Sequence, residues 1–334
     1  MIQFLGLHVG HESAHAVSLG RDFQVWADAR ADVVNAQRDA ATGVVEVPPA
    51  EWVRSGAYAL QETYFGLPVA ARKVWGLALG GPSGWIALDP DYEPLSPLRL
   101  TGATPLAADL TRWFAENPRM RARSSLILFP KDYFRFAVSR VLATDVTDAF
   151  RSGWIEGSEA RWRDEALERD ELTRKHVPTV FSSSIATGTI SEAGVRQTSL
   201  PSGLWIVAGA HESSAAILAA TDPSARRLLL LDERASGRLL ALPGCAEADP
   251  SPAPWQRFPA AVGDAGILQR TVASDENPAR VLEEARAQLE AAGIEGGEPA
   301  TGTARPALGA ALLAMIASGL AKRWRSFYDH TAEE

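Results

Sequence analysis

Residues 200–218 read LPSGLWIVAGAHESSAAIL, a strand that runs straight into a helix. Leu204-Trp205-Ile206-Val207 has the apolar run of a short buried strand, Gly209 offers a tight exit, and Ser213 to Leu218 opens a packed helix. His211 and Glu212 stand at the corner between them. Side chains at the C-terminal end of a strand are held on rigid backbone and face a crevice, which is where open α/β folds place their chemistry. Glu212 is therefore the leading catalytic candidate. The plainer account is a carboxylate that complements the positive end of the helix, and the local sequence leaves both open.

The chain around this corner has 334 residues, 46% of them hydrophobic, enough for two domains with sizeable cores. No apolar run reaches the about 18 residues that a membrane span needs. The opening MIQFLGLHVG lacks the basic and long apolar segments of a signal peptide, and a lone Cys245 leaves no internal disulfide. Both fit a cytoplasmic location. The formal net charge is −8 and the basic residues are scattered, which argues against nucleic acid or an anionic membrane as partner.

In chain order, residues 2–7 and 16–19 predict a β-hairpin turning through VGHES, and 28–50 a third strand followed by a loop. A helix is predicted over 51–65, bounded by prolines and Gly66. Val74 to Leu79 and Trp85 to Leu88 read as strands around Gly80-Gly81-Pro82-Ser83-Gly84. Helical signals follow over 105–116 and 124–136, with 117–123 as a basic link, and 158–175 reads as an amphipathic helix. A short edge strand is expected near Gly188, and a hairpin from 227–231 and 237–242. Proline-rich 243–262 reads as a long loop, 277–292 and Ala-rich 307–323 as helices, and the tail from Ser326 as frayed.

Four stretches, in this order, resemble the FGGY family of carbohydrate kinases, which includes xylulose, gluconate and glycerol kinases. They are FLGLHVGHESAHAVSLG (4–20), VWGLALGGPSGWIALDPDYEPLSPLRL (74–100), FPKDYFRFAVSRVLATDVTDAF (129–150) and LPSGLWIVAGAHESSAAILAA (200–220). PKDY followed by ATDVTDA is the most specific of them. After residue 220 only LGAALLAMIASGL (308–320) looks like the family's closing helix. The resemblance implies an α/β chain with the actin-like ATPase fold: two RNase-H-like domains with a cleft between them, the second reduced. Residues 1–203 would form the sugar-binding domain and 204–334 a shortened C-terminal domain. ATP-dependent phosphorylation of a sugar or polyol hydroxyl, with Mg²⁺, is the ancestral activity it implies.

The resemblance also assigns residues. Glu212 aligns with the family's aspartate that takes the proton from the sugar hydroxyl, one methylene longer. Ser83, Asp132, Asp145 and Asp148 are the substrate-binding candidates. Their plainer readings are a turn serine, a surface charge and two helix caps. Trp85 and Trp113 read more simply as core than as sugar platforms. The nucleotide-binding positions of the first hairpin fall at His8, Gly10 and His11, where the family has Asp-x-Gly-Thr, and His15 replaces a later lysine. Imidazole is a poor Mg²⁺ ligand and bulky at a phosphate turn. The second phosphate hairpin falls at 232–236, where Asp232 and Glu233 would repel a triphosphate. The family's glycine-rich adenosine loop has no convincing counterpart. The expected function is thus a kinase by ancestry with weak or no phosphoryl transfer, the alternative being a pseudokinase that binds a sugar or metal or serves regulation. His8, His11 and His211 form a candidate transition-metal set, against the simpler view of polar residues filling a disused phosphate site. A shortened second domain exposes apolar surface, which predicts pairing with a second copy or a partner chain.

Overall fold

Alternation along the first strand sets the first layer. Leu5, Leu7 and Val9 enter one core cluster and Phe4 enters another, so the two faces of the strand are buried against different partners. The strand is β1 (Ile2–Val9), joined in one sheet by β2 (Ser13–Gly20), β3 (Val25–Asp32), β4 (Lys73–Gly81), β5 (Ala186–Thr189) and β6 (Trp205–His211). The helices that position the site are α1 (Pro49–Gly66), α2 (Pro130–Ser139), α3 (Val146–Arg151), α4 (Glu212–Ala220), α5 (Pro278–Ala291) and α6 (Pro306–Ala317). The computed structural model describes residues 1–319 except 103, 156–160, 222–226, 234–236, 246–250, 263–265, 274–275 and 295–298.

The sheet order is β5-β6-β4-β1-β2-β3. β1, β2 and β3 form an antiparallel meander, while β4 runs parallel to β1 and β6 parallel to β4. Helix α1 covers the Leu5-Leu7 face through Trp52, Ala59 and Leu60. Helix α6 covers the Phe4 face and also packs on α4. Every residue from Ala307 to Ile316 is buried, as expected for a helix that is apolar all round.

A second sheet repeats the plan. Its strands β7 (Leu228–Glu233), β8 (Gly237–Cys245), β9 (Gln256–Pro259), β10 (Gly266–Val272) and β11 (Pro299–Thr303) lie in the order β9-β10-β8-β7-β11. β7, β8 and β10 pair antiparallel, with β9 between β8 and β10 in the chain, and β11 runs parallel to β7, the spatial arrangement that β1, β2, β3 and β4 have in the first sheet. Leu228 and Leu230 pack toward α5, Leu229 and Leu231 toward α4. A run of four leucines buried on both faces is what a covered central strand needs. Helices α4 and α6 thus lie between the two sheets.

Several expectations change. Gly209 is not the exit of its strand: β6 continues to His211, with a register shift between Val207 and Ala210. Gly209 has φ +76°, a conformation that L side chains adopt with strain, and this bulge re-aims the strand end. β6, placed by sequence at the head of the second domain, hydrogen-bonds into the first sheet. Residues 124–136 are not one helix, because Leu126–Leu128 pairs as a strand with Ile86–Leu88 and Pro130 starts α2. The basic link is the helix Pro118–Arg123. Of 158–175, residues 158–160 lie outside the described residues, and the rest holds the short helix Asp164–Arg169 and a 3-10 turn. The expected loop 243–262 contains β9, paired antiparallel with β10. The turn at 234–236 and the tail from 320 also lie outside the described residues.

Candidate active site at the strand ends

The C-terminal ends of β1, β4 and β6 converge, and their side chains make the site. Period-2 alternation puts Phe4, Gly6 and His8 on one face of β1, and at the strand end His8 emerges toward α4. There its Nε2 lies 2.9 Å from Glu212 Oε2, across 204 residues of sequence. The imidazole is 15% exposed and the carboxylate 30%, so the pair opens to solvent on one side. The ring lies over the hairpin turn and the neighbouring strand end. A Cβ placed on Gly10 would sit 3.2 Å from its Cε1, and one on Gly80 3.8 Å from its Cδ2.

His211 is the N-cap of α4, accepting at Nδ1 from the Ser213 backbone N–H at 3.2 Å. Burial first, then the nearby Arg151 and Lys131, hold its pKa well below 6.5, so the ring is neutral. With Nδ1 an acceptor, the hydrogen-bond network assigns the proton to Nε2, which donates to Ser83 Oγ at 3.0 Å. Ser83 therefore has its own hydroxyl proton to offer. The same tautomer means His211 cannot serve as a base toward Ser83.

Behind this corner lies a buried charge cluster. Lys131 Nζ is 2.7 Å from Asp132, 3.0 Å from Asp145 and 3.0 Å from Asp148, and Arg135 Nη1 is 2.7 Å from Asp132. None of these side chains is more than 3% exposed. Burial works to lower the Lys131 pKa, but the three carboxylates outweigh it and hold it above the ordinary lysine value. Burial pushes Asp148 up to about 8, against the pull of Lys131. Asp145 accepts from Thr147 N at 2.8 Å, from Thr147 Oγ1 at 2.6 Å and from Ser183 Oγ at 2.7 Å. Thr147 Oγ1 in turn accepts from the His211 N–H at 2.7 Å. Asp145 thus fixes the corner through Thr147.

Ser83, His211, His8 and Glu212 are therefore brought together. Asp132, Asp145 and Asp148 are interior, and Asp132 is not a surface charge. Asp145 is the N-cap of α3, as its plainer reading had it, and Asp148 pairs with Lys131 instead of capping. Trp85 and Trp113 are core, packed edge to face at 5.3 Å. The His8, His11 and His211 metal set is not formed. His8 bonds Glu212, His11 lies 3.6 Å from Glu12 in its own turn, and both ring nitrogens of His211 are engaged by serines. Among the described residues no group of three or more His, Cys, Asp or Glu is placed to hold a metal ion. His15, beside Asp28 at 3.3 Å, has its pKa lowered by burial to about 4. Lys131, Arg135 and Thr147 escaped the sequence reading, although charges inside PKDYFRFAVS sit at buried helical positions.

Residues 99–219 match the N-terminal domain model of the FGGY family of carbohydrate kinases. Over 91 residues the chain is 30% identical to a xylulose kinase of Klebsiella pneumoniae. Over that segment the chain is similar to the N-terminal part of FGGY-family kinases. That stretch is 27% of this chain and 19% of the Klebsiella protein. A xylulose kinase of Bacillus subtilis is 20% identical over 245 residues, 65% of this chain and 49% of its own length. The chain therefore matches about half or less of the length of those curated relatives. A solved xylulose kinase of Brucella ovis has a TM-score of 0.81 at 16% identity, covering 96% of this chain and 92% of that one. A gluconate kinase of Lactobacillus acidophilus has a TM-score of 0.76 at 15% identity, covering 98% and 91%. With the repeated sheet arrangement, these likenesses give the chain the actin-like ATPase fold. Among the described residues no helix is long and apolar enough to cross a membrane.

Proposed function

We propose that this chain is a member of the FGGY family that binds a sugar or polyol at the strand-end corner and transfers phosphate weakly or not at all. The observation that carries the proposal is the His8–Glu212 hydrogen bond of 2.9 Å. The family resemblance puts an Mg²⁺-organising carboxylate at position 8. An imidazole stands there instead, it covers the Gly10 turn, and its Nε2 is taken by the carboxylate that would receive the hydroxyl proton. Such a donor set does not fit Mg²⁺ with a triphosphate, since hard cations want oxygen ligands. Phosphoryl transfer depends on positioned phosphates and charge neutralisation more than on a base. Asp232 and Glu233, at the expected second phosphate hairpin, add charge of the wrong sign.

What remains suits a polyol. The second carboxylate oxygen of Glu212 accepts from a sugar hydroxyl, and Ser83, with its lone pair used by His211, donates to a sugar oxygen. Glu212 also supports the second reading, a working kinase in which it is the base. The test follows ADP release with xylulose, gluconate and glycerol, beside equilibrium binding of the same compounds, for the native chain and Glu212→Gln. Sugar binding without ADP release, little changed in the variant, is expected. Turnover that Glu212→Gln abolishes would establish the kinase instead.

A further inference from the structure

Helices α1 and α2 and the turn at Tyr92 enclose a cavity of about 520 Å³ that shares no residue with His8, Ser83, His211 or Glu212. Small side chains on both helices, Ala50, Ala57 and Ala137, leave the space, and Tyr58, Tyr92 and Tyr133 line it. Its size lies within the roughly 300–1,000 Å³ of small-molecule sites. Tyr58 is 49% and Tyr92 42% exposed, large aromatic surface for a chain to leave uncovered. Tyr92 is also held at φ +66°, with its N–H bonded to Asp89 O at 2.9 Å. A strained aromatic fixed by its turn is a pre-organised wall.

The charges at this cavity are uneven. Arg54 is paired with Glu51 at 2.7 Å. Arg140 lies 4.9 Å from the Phe136 ring centroid, and Tyr92 packs on the same ring at 5.3 Å. Among the described residues no carboxylate pairs with Arg140. Its guanidinium, stacked on one face, keeps its N–H edge for a planar acceptor. One uncompensated cation, with the Glu93 carboxylate on the same rim, matches a monoanion better than a phosphate dianion.

We infer that this cavity binds a small planar aromatic ring bearing one carboxylate, the ring against Tyr58, Tyr92 and Phe136 and the carboxylate on Arg140. The site is separate from the sugar corner and does not rest on the proposed function. The test is saturation-transfer NMR and calorimetry on the full chain with indole-3-acetate and its neutral amide, indole-3-acetamide. Saturable binding of the acid is expected, with the amide weaker by about tenfold or more. Arg140→Gln should remove that preference, Tyr58→Ala should weaken both ligands, and Glu212→Gln should change neither. Both altered residues are exposed, and unchanged urea midpoints confirm that the variants fold. No saturable binding at millimolar acid, equal binding of acid and amide, or an Arg140→Gln variant that keeps the preference would each overturn the assignment.

Discussion

Replacing Lys131 by Met is expected to cost about 3–5 kcal/mol of folding stability, the usual penalty for stripping the partner from a buried charge. Against a total of about 5–15 kcal/mol this is a large share, so the variant should unfold at much lower urea or fail to accumulate. The reason is geometric. Lys131 Nζ stands within 3.0 Å of three carboxylates that have no access to water. Asp132 keeps Arg135, and Asp145 keeps Thr147 and Ser183, but above about pH 8, where Asp148 is ionised, that carboxylate is left with no cation. Adding Asp148→Asn to Lys131→Met should therefore recover part of the loss. A double variant as unstable as the sum of its parts would refute the pairing.

The single Asp148→Asn change makes a pH test. A carboxyl whose pKa rises on folding, here from 3.8 to about 8, binds its proton more tightly in the folded state. Its contribution is complete below about pH 4 and is lost as pH climbs through about 8. The native chain should lose stability relative to Asp148→Asn over that window, visible as urea midpoints that diverge from pH 5 to pH 9. Parallel curves would mean that Asp148 ionises as an ordinary carboxylate.

Gly309→Ala is also expected to be damaging. A Cβ there would sit 1.8 Å from Ala215 O, and one on Gly6 2.0 Å from Ala307 O and 2.3 Å from Ala311 N. All of these are backbone atoms, which cannot swing aside as a side chain would. The change must push α6 away from α4 or from β1, and overpacking of this kind costs about 1–3 kcal/mol or more. Because α4 carries Glu212 at its first turn, the shift reaches the site. Thermal unfolding checks it, and an unchanged midpoint in both Gly309→Ala and Gly6→Ala would mean that the helix is not packed this closely.

The corner at 205–212 was legible because its signals are local: an apolar run, then a glycine, then small helix formers. The hairpin at 2–20 was legible for the same reason. Leu126–Leu128 was not, since three apolar residues fit a helix as well as a strand until Ile86–Leu88 is there to pair with them. β10 and β11 went unmarked, each being defined by partners far along the chain. The site divides the same way. Glu212, Ser83 and His8 could be named singly, but no local pattern joins His8 to a carboxylate 204 residues away. The sequence also leaves Asp132 looking like a surface charge, because the lysine and arginine that allow its burial are read one by one as solvated.

The central claim is that the imidazole at position 8 and its bond to Glu212 replace a nucleotide site. Calorimetric titration of the purified chain with ATP and ADP, each with and without Mg²⁺, tests it most directly. No heat at millimolar nucleotide is the predicted result. Micromolar binding that requires Mg²⁺ would contradict it and return Glu212 to the role of a kinase base.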